Sequence, residues 1–216
     1  HRFGVNQRNL LIQKGINPHL LSMTATPIPR TLAITYHGDM DLSVIDEIPK
    51  NRIPVVTKMV DEKRLNKVYS FIIDEVKAGK QCMIVHPLIE ESEKSDLLAA
   101  IDMYDTLSTT VFKELNVGLL HGRQDKLQKE KIMHDFSKNK INILLSTTVI
   151  EVGIDVPNAT VMLIENAERF GLTQLHQLRG RVGRGSKKSY CILVQGKITE
   201  QSKKRLEIME STNDAF

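Results

Sequence analysis

Ile141-Asn142-Ile143-Leu144-Leu145-Ser146-Thr147-Thr148 is the stretch on which the fold turns. Its apolar residues are consecutive rather than alternating, which is the pattern of a strand buried on both faces. It then stops at three hydroxyl side chains in a row. Four further short apolar runs share this character: Cys82 to Val85, Val117 to Leu120, Thr160 to Ile164 and Ser189 to Val194. The intervals between them read mostly as helices. Ahead of the first run, Asp61 is placed to cap a helix whose apolar residues fall at Leu65, Val68, Tyr69, Ile72, Ile73 and Val76, the spacing of one buried face. Gly79 ends that helix, and Asp125 with Gln128 marks the capped start of another. Strands buried on both faces and joined through helices predict an α/β fold, a doubly wound parallel sheet with helices on both faces.

In such a sheet ligands bind outside the carboxyl ends of the strands. The residues that follow the runs are His86-Pro87, His121-Gly122-Arg123, Ser146-Thr147-Thr148 and Glu165-Asn166. Hydroxyls and unpaired backbone N–H groups at such places can hold phosphates.

The rest of the composition narrows the field. The chain has 216 residues, 41% hydrophobic and 26% charged, which excludes a disordered, collagenous or coiled-coil protein. No apolar run reaches the length of a membrane span, and His1-Arg2-Phe3-Gly4 does not begin a signal peptide, so a cytoplasmic protein is expected. The two cysteines, Cys82 and Cys191, sit far apart inside apolar runs and read as reduced core residues. No metal ligand is assigned. A formal charge of +4 and a pI near 9.0 permit a polyanionic partner without requiring one. With no Trp and few aromatics, such a partner is held by its phosphates rather than by base stacking.

Before residue 50 the chain has a different texture: a helical pattern from Val5 to Lys14, an apolar run from His19 to Met23, a Pro-rich turn and a short helical stretch. Pro49-Lys50-Asn51-Arg52-Ile53-Pro54 reads as a linker.

Three motifs carry chemistry, each with a plainer alternative. Gln177-Leu178-Arg179-Gly180-Arg181-Val182-Gly183-Arg184, read as helix, puts Arg181 and Arg184 on one face while its glycines clear a strip for close approach; the alternative is a solvated basic helix end. Ser146 to Pro157 follows a strand, with Thr147 and Thr148 placed for a phosphate and Asp155, held by Gly153 and Pro157, for a ribose hydroxyl; the alternative is a turn with an Asx motif. Thr24-Ala25-Thr26-Pro27 is a hydroxyl pair that is equally a capped helix start. His121-Gly122 is explained as well by a capped turn as by a strand-binding one.

Taken together and in this order, the three motifs resemble the third, fifth and sixth motifs of superfamily 2 helicases and translocases. The resemblance covers essentially the whole chain. The stretches His1 to Val5, Val44 to Pro49, His86 to Ser92 and Asn166 to Gly171 narrow it to the branch-migrating DNA helicases, with transcription-repair coupling translocases as the alternative.

It implies a RecA-like fold with residues 1–48 as the tail of a first motor domain, 49–54 as linker, 55–198 as the second motor domain and 199–216 as the start of a helical translocation element. By the same resemblance, Arg181, Arg184 and Gln177 act on ATP, and Gly153 and Asp155 help bind it. Thr147, Thr148, His121 and Gly122 grip nucleic acid, and Thr24 and Thr26 couple the two events. The implied cofactor is ATP with Mg2+, and the implied partner is branched DNA, with no membrane and a monomeric state. No G-x-x-x-x-G-K-[ST] loop is present, since Gly79-Lys80 is followed by Gln81 and Gly196-Lys197 by Ile198, so the chain alone is expected to hydrolyse no ATP. A non-enzymatic nucleic-acid-binding module is the reading of a different class, and it predicts binding with a steep salt dependence.

Overall fold

The computed structural model describes residues 53–87, 93–147, 156–196 and 199–212, and single positions between 10 and 45; of residues 93–95 it describes the backbone alone. The chain divides into two compact units, Asp46–Asp214 and His1–Ile45 with Ala215–Phe216. In the smaller unit Leu10 and Gln13 are helical, at two of the positions where the sequence predicts a helix. The rest of this section concerns the larger unit.

Its elements are β1 (Val56–Asp61), α1 (Leu65–Lys77), β2 (Gln81–Val85), α2 (Glu93–Thr109), β3 (Val117–Leu120), α3 (Lys126–Ser137), β4 (Ile143–Ser146), β5 (Ala159–Ile164), α4 (Leu172–Arg179), β6 (Tyr190–Gln195) and α5 (Glu200–Ser211). Six strands form one sheet in the order β1-β6-β5-β2-β4-β3, and every neighbouring pair is parallel. The doubly wound α/β fold read from the sequence is the one observed.

The continuous apolar runs have the predicted cause. In β2, Cys82 and Ile84 face one core with Ile143, Leu145, Val161 and Leu163, against Val68, Ile72 and Val76 of α1 and Ala100 and Leu107 of α2. Met83 and Val85 face the other core with Leu144, Met162, Ile164 and Leu193, against Phe136 of α3, Leu175 and Leu178 of α4, and Leu206 and Met209 of α5. A central strand thus has no wet face. Both cysteines are free and buried within these cores, and burial pushes the Cys191 thiol up to about 12, so neither is a nucleophile.

Local signals also match. The Asp125 side chain accepts from the backbone N of Gln128 and starts α3. Asp61 accepts from Lys63 N and caps a 3-10 turn, Glu62–Arg64, that leads into α1. Gly79, at φ +82, lets the chain leave α1 through a left-handed turn. Among the described residues no helix is long and apolar enough to cross a membrane.

One strand was not expected. β1 occupies an edge of the sheet, and its side chains are buried, half-buried and exposed by turns. Lys58 in its middle is exposed, so the strand lacks the continuous apolar run that marks the other five. It is held by six rungs to β6. On its outer side Met59 N donates to Glu210 Oε1 of α5 at 3.2 Å, and Lys58 Nζ lies 3.9 Å from the same oxygen.

Candidate functional site

The carboxyl ends of β5, β2, β4 and β3 are in register. Val85 is level with Ile164 and with Ser146, and Ser146 with Leu120. One residue further on, Glu165, His86, Thr147 and His121 therefore form a row across four adjacent strands. Backbone bonds carry the register into this row: Glu165 N donates to Val85 O at 2.9 Å, His86 N to Ser146 O at 2.9 Å and Thr147 N to Leu120 O at 3.1 Å. Parity along each strand puts all four side chains on the face covered by α1 and α2. This is also where the winding reverses, since β2 leads toward β4 and β3 while β5 leads toward β6 and β1.

The row is polar, covered and short of partners. Glu165 and His86 are 5% and 6% exposed and Thr147 is fully buried, while His121 is half-buried. Nδ1 of His86, Nδ1 of His121 and Oγ1 of Thr147 have no hydrogen-bond partner among the described residues, nor has Ser146 Oγ on the opposite face. Buried polar atoms left unpaired are rare in folded proteins. Four of them at one edge of one sheet make that edge the candidate binding site.

Electrostatics follow from the burial. Desolvation holds His86 below the ordinary histidine range, with Asp96 pulling it up and Arg169 pushing it down. Those two neighbours are themselves paired, Arg169 Nη2 to Asp96 Oδ1 at 3.5 Å. His121 is likewise lowered, by burial and then by Lys129 and Arg123.

Glu165 moves the other way. Burial pushes its carboxyl up to about 7, against the bond from Tyr69 Oη at 3.5 Å and with a contribution from Glu62. A carboxyl raised in the fold binds its proton more tightly there than in the unfolded chain, so stability falls as pH rises from the ordinary carboxylate range to about 7 and then levels. Glu165→Gln is expected to flatten that stretch of the stability–pH profile and raise the melting temperature at about pH 8, where wild type holds a buried charge. Thermal melting across pH checks this; an unchanged slope in the variant removes Glu165 as its source.

The arginine tract does not form one helix. α4 ends at Arg179, Gly180 is its C-cap and Gly183 turns the chain at φ +73. A Cβ at Gly183 would lie 2.6 Å from Cγ2 of Val55, so the position needs glycine for its backbone and for its closeness to that buried side chain. Arg181 and Arg184 thus sit on a glycine-bounded turn beyond the helix, not on a helical face. Arg184 is exposed with Nε donating to Gly180 O at 3.2 Å; Arg181 is half-buried, as is Gln177 within α4.

The arginine that precedes them was missed as a structural group. Arg179 is 5% exposed and donates through Nη1 to Met209 O at 3.1 Å, Thr212 O at 2.6 Å and Thr57 Oγ1 at 3.5 Å, while Nη2 meets His176 Nδ1 at 3.0 Å. It ties α4 to β1 and to the end of α5. Its place inside a basic tract hides this in the sequence, where every arginine reads as a solvent or ligand group.

Gly122, next to His121, is exposed. Thr24, Thr26, Thr148, Gly153 and Asp155 lie outside the described residues. Among the described residues no group of three or more His, Cys, Asp or Glu is placed to hold a metal ion.

Comparison with known proteins agrees with this fold. The family described as helicase conserved C-terminal domain matches residues 63–186. The ATP-dependent DNA helicase RecG of Synechocystis sp. is 54% identical over 216 residues, covering all of this chain and 26% of that protein. The Bacillus subtilis protein of the same name is 53% identical over 216 residues, covering all of this chain and 32% of its own length. Among solved structures, that of RecG bound to a three-way DNA junction is 49% identical with a TM-score of 0.76, covering 89% of this chain and 25% of that one. The chain spans about a third or less of the length of these relatives.

Proposed function

Because this chain belongs to the family of helicase conserved C-terminal domains, we propose that it is the second motor domain of an ATP-dependent DNA helicase or translocase that branch-migrates forks and four-way junctions in repair and recombination. The observation that carries the reading is the likeness to RecG along the entire chain, at 48–54% identity in several bacteria. In this reading residues 1–48 belong to the first motor domain, 49–54 link it to the second at 55–198, and 199–216 begin a translocation element. It works as a cytoplasmic monomer.

Phosphoryl transfer by such motors is a matter of positioning and charge stabilisation. When bound, ATP with Mg2+ supplies the free energy of the cycle. An exposed guanidinium on a short turn suits its phosphate chain, because Arg is always charged and offers donors in a fixed fork. The exposed Arg184 takes that role together with the half-buried Arg181, with Gln177, Gly153 and Asp155 orienting the nucleotide. Thr147, Thr148, His121 and Gly122 hold one DNA strand, a reading supported by the buried Thr147 Oγ1 and His121 Nδ1, which have no hydrogen-bond partner among the described residues. Thr24 and Thr26 pass the nucleotide state to that grip.

The test is ATP-dependent unwinding of a synthetic four-way junction by the full-length gene product, beside a linear duplex. Junction unwinding supports the reading. ATP turnover on linear duplex without junction remodelling points instead to a transcription-coupled translocase, and DNA binding without any turnover to a binding module.

A further inference from the structure

The turn that carries Arg181 and Arg184 is held in two ways. Its near half continues the end of α4, with Arg181 N donating to Leu178 O at 2.9 Å and Val182 N to Arg179 O at 3.3 Å. Its far half is held by packing. Val182 is fully buried in the same core as Val55. At Gly183 the fit is closer than any side chain allows, because a Cβ there would lie 2.6 Å from Val55 Cγ2. On the other flank a Cβ at Gly185 would lie 3.4 Å from Pro157 O, an ordinary contact. The tight seat of the turn is therefore Val55.

Val55 has little freedom of its own. On one side Val56 N donates to Ser189 O at 2.9 Å and opens the ladder between β1 and β6. On the other side stands Pro54, whose ring fixes its own φ and restricts the backbone of Ile53. Ile53 O in turn lies 3.9 Å from the point that a Gly183 Cβ would occupy. Ile53 and Val55 thus both flank Gly183, with the stiff proline between them.

We infer that Val55 is a positioning residue for the arginines: through its contact with Gly183, the segment 49–54 sets where Arg181 and Arg184 stand. The inference rests on the motor reading above, in which residues 49–54 link two motor domains, and adds to it a route from linker to arginines. A motor of two domains works by changing their relative placement. The linker feels each such change, and Ile53-Pro54 is too stiff to absorb it by rotation. The core that holds Val55 and Val182 is close-packed, so a displacement at Val55 is passed on instead of being taken up by empty space. Gly183 receives it between the two arginines, two residues after one and immediately before the other.

The plainer role for Val55 is to fill the core, and the two roles predict different things. Core filling governs how much protein is folded, whereas positioning governs the turnover of the folded protein. Steady-state ATPase of the full-length gene product with a four-way junction, at least about 10 °C below the melting temperature of every variant, separates them. Gly183→Ala drives a methyl into Val55. It is expected to lower kcat at least about tenfold, with KM for ATP and affinity for the junction each within about twofold of wild type. Adding Val55→Ala removes the opposing methyl and is expected to recover at least about fivefold of that loss. Pro54→Gly changes an exposed residue and loosens the chain where the linker meets Val55. Its kcat is expected to fall about threefold, with the melting temperature within about 3 °C of wild type.

A double variant no faster than Gly183→Ala, or wild-type kcat in Pro54→Gly, overturns the inference and leaves the motor reading standing. A kcat that only follows the folded fraction across the variants does the same and returns Val55 to the core. Should Gly183→Ala not fold, Pro54→Gly decides alone. If wild type hydrolyses no ATP in the presence of DNA, the motor reading fails first and takes the inference with it.

Discussion

Arg184→Ala in the full-length gene product is expected to lower ATP-driven junction unwinding by about 10³-fold or more while changing DNA affinity by less than about twofold. The side chain is exposed on a turn after α4 and packs into neither core, so its removal leaves the fold intact. In the proposed reading what is lost is a guanidinium that meets the phosphates of ATP, and it contributes when charge develops there. Arg184→Lys should recover little, because an ammonium is a point charge without the planar fork. Steady-state ATPase and junction assays with a melting curve check the claim. Turnover within about tenfold of wild type in a folded Arg184→Ala protein would move the catalytic assignment elsewhere.

Arg179→Met, five residues earlier, is expected to do the opposite: it damages stability rather than a chemical step. The guanidinium is buried and gives hydrogen bonds to the carbonyls of Met209 and Thr212, which close α5, and to the Thr57 hydroxyl on β1. Methionine fills the volume but offers no donor, so buried acceptors are left without partners. Hydrogen bonds to a charged group contribute about 1.5–3 kcal/mol each, and several are lost together, so a destabilisation of about 3 kcal/mol is expected in urea unfolding. A change under about 1 kcal/mol would mean that water replaces the guanidinium at the end of α5.

The two arginines show how far sequence reading goes here. Strands β2, β4, β5 and β6 are legible because a strand buried on both faces has no choice but consecutive apolar residues, as in Ile143-Leu144-Leu145, and the second edge strand, β3, keeps the run Val117 to Leu120. β1 escapes that rule because it is an edge strand whose Lys58 faces solvent. The cap at Asp125 is local chemistry and is read directly. Extending α4 through Arg184 is an error of a different kind, since nothing in the local pattern announces the left-handed turn at Gly183, which depends on Val55 far away in the chain.

The candidate site divides the same way. Loops after the apolar runs could be named from the sequence, and their residues do end up side by side. The in-register row and its unpaired atoms could not, because register is set by pairings between segments tens of residues apart. Nor does a basic tract disclose which of its arginines is buried.

The Glu210 carboxylate that receives Met59 N has a consequence for solubility. An outermost strand offers a ladder of amide and carbonyl groups to any passing extended peptide, and exposed ladders of this sort seed edge-to-edge association. Here a side chain from the closing helix occupies a rung in the middle of that ladder, beside the cation of Lys58. The helix that follows the sheet thereby acts as a stopper against self-templated polymerisation, and a polypeptide ended after β6 would present that ladder unguarded.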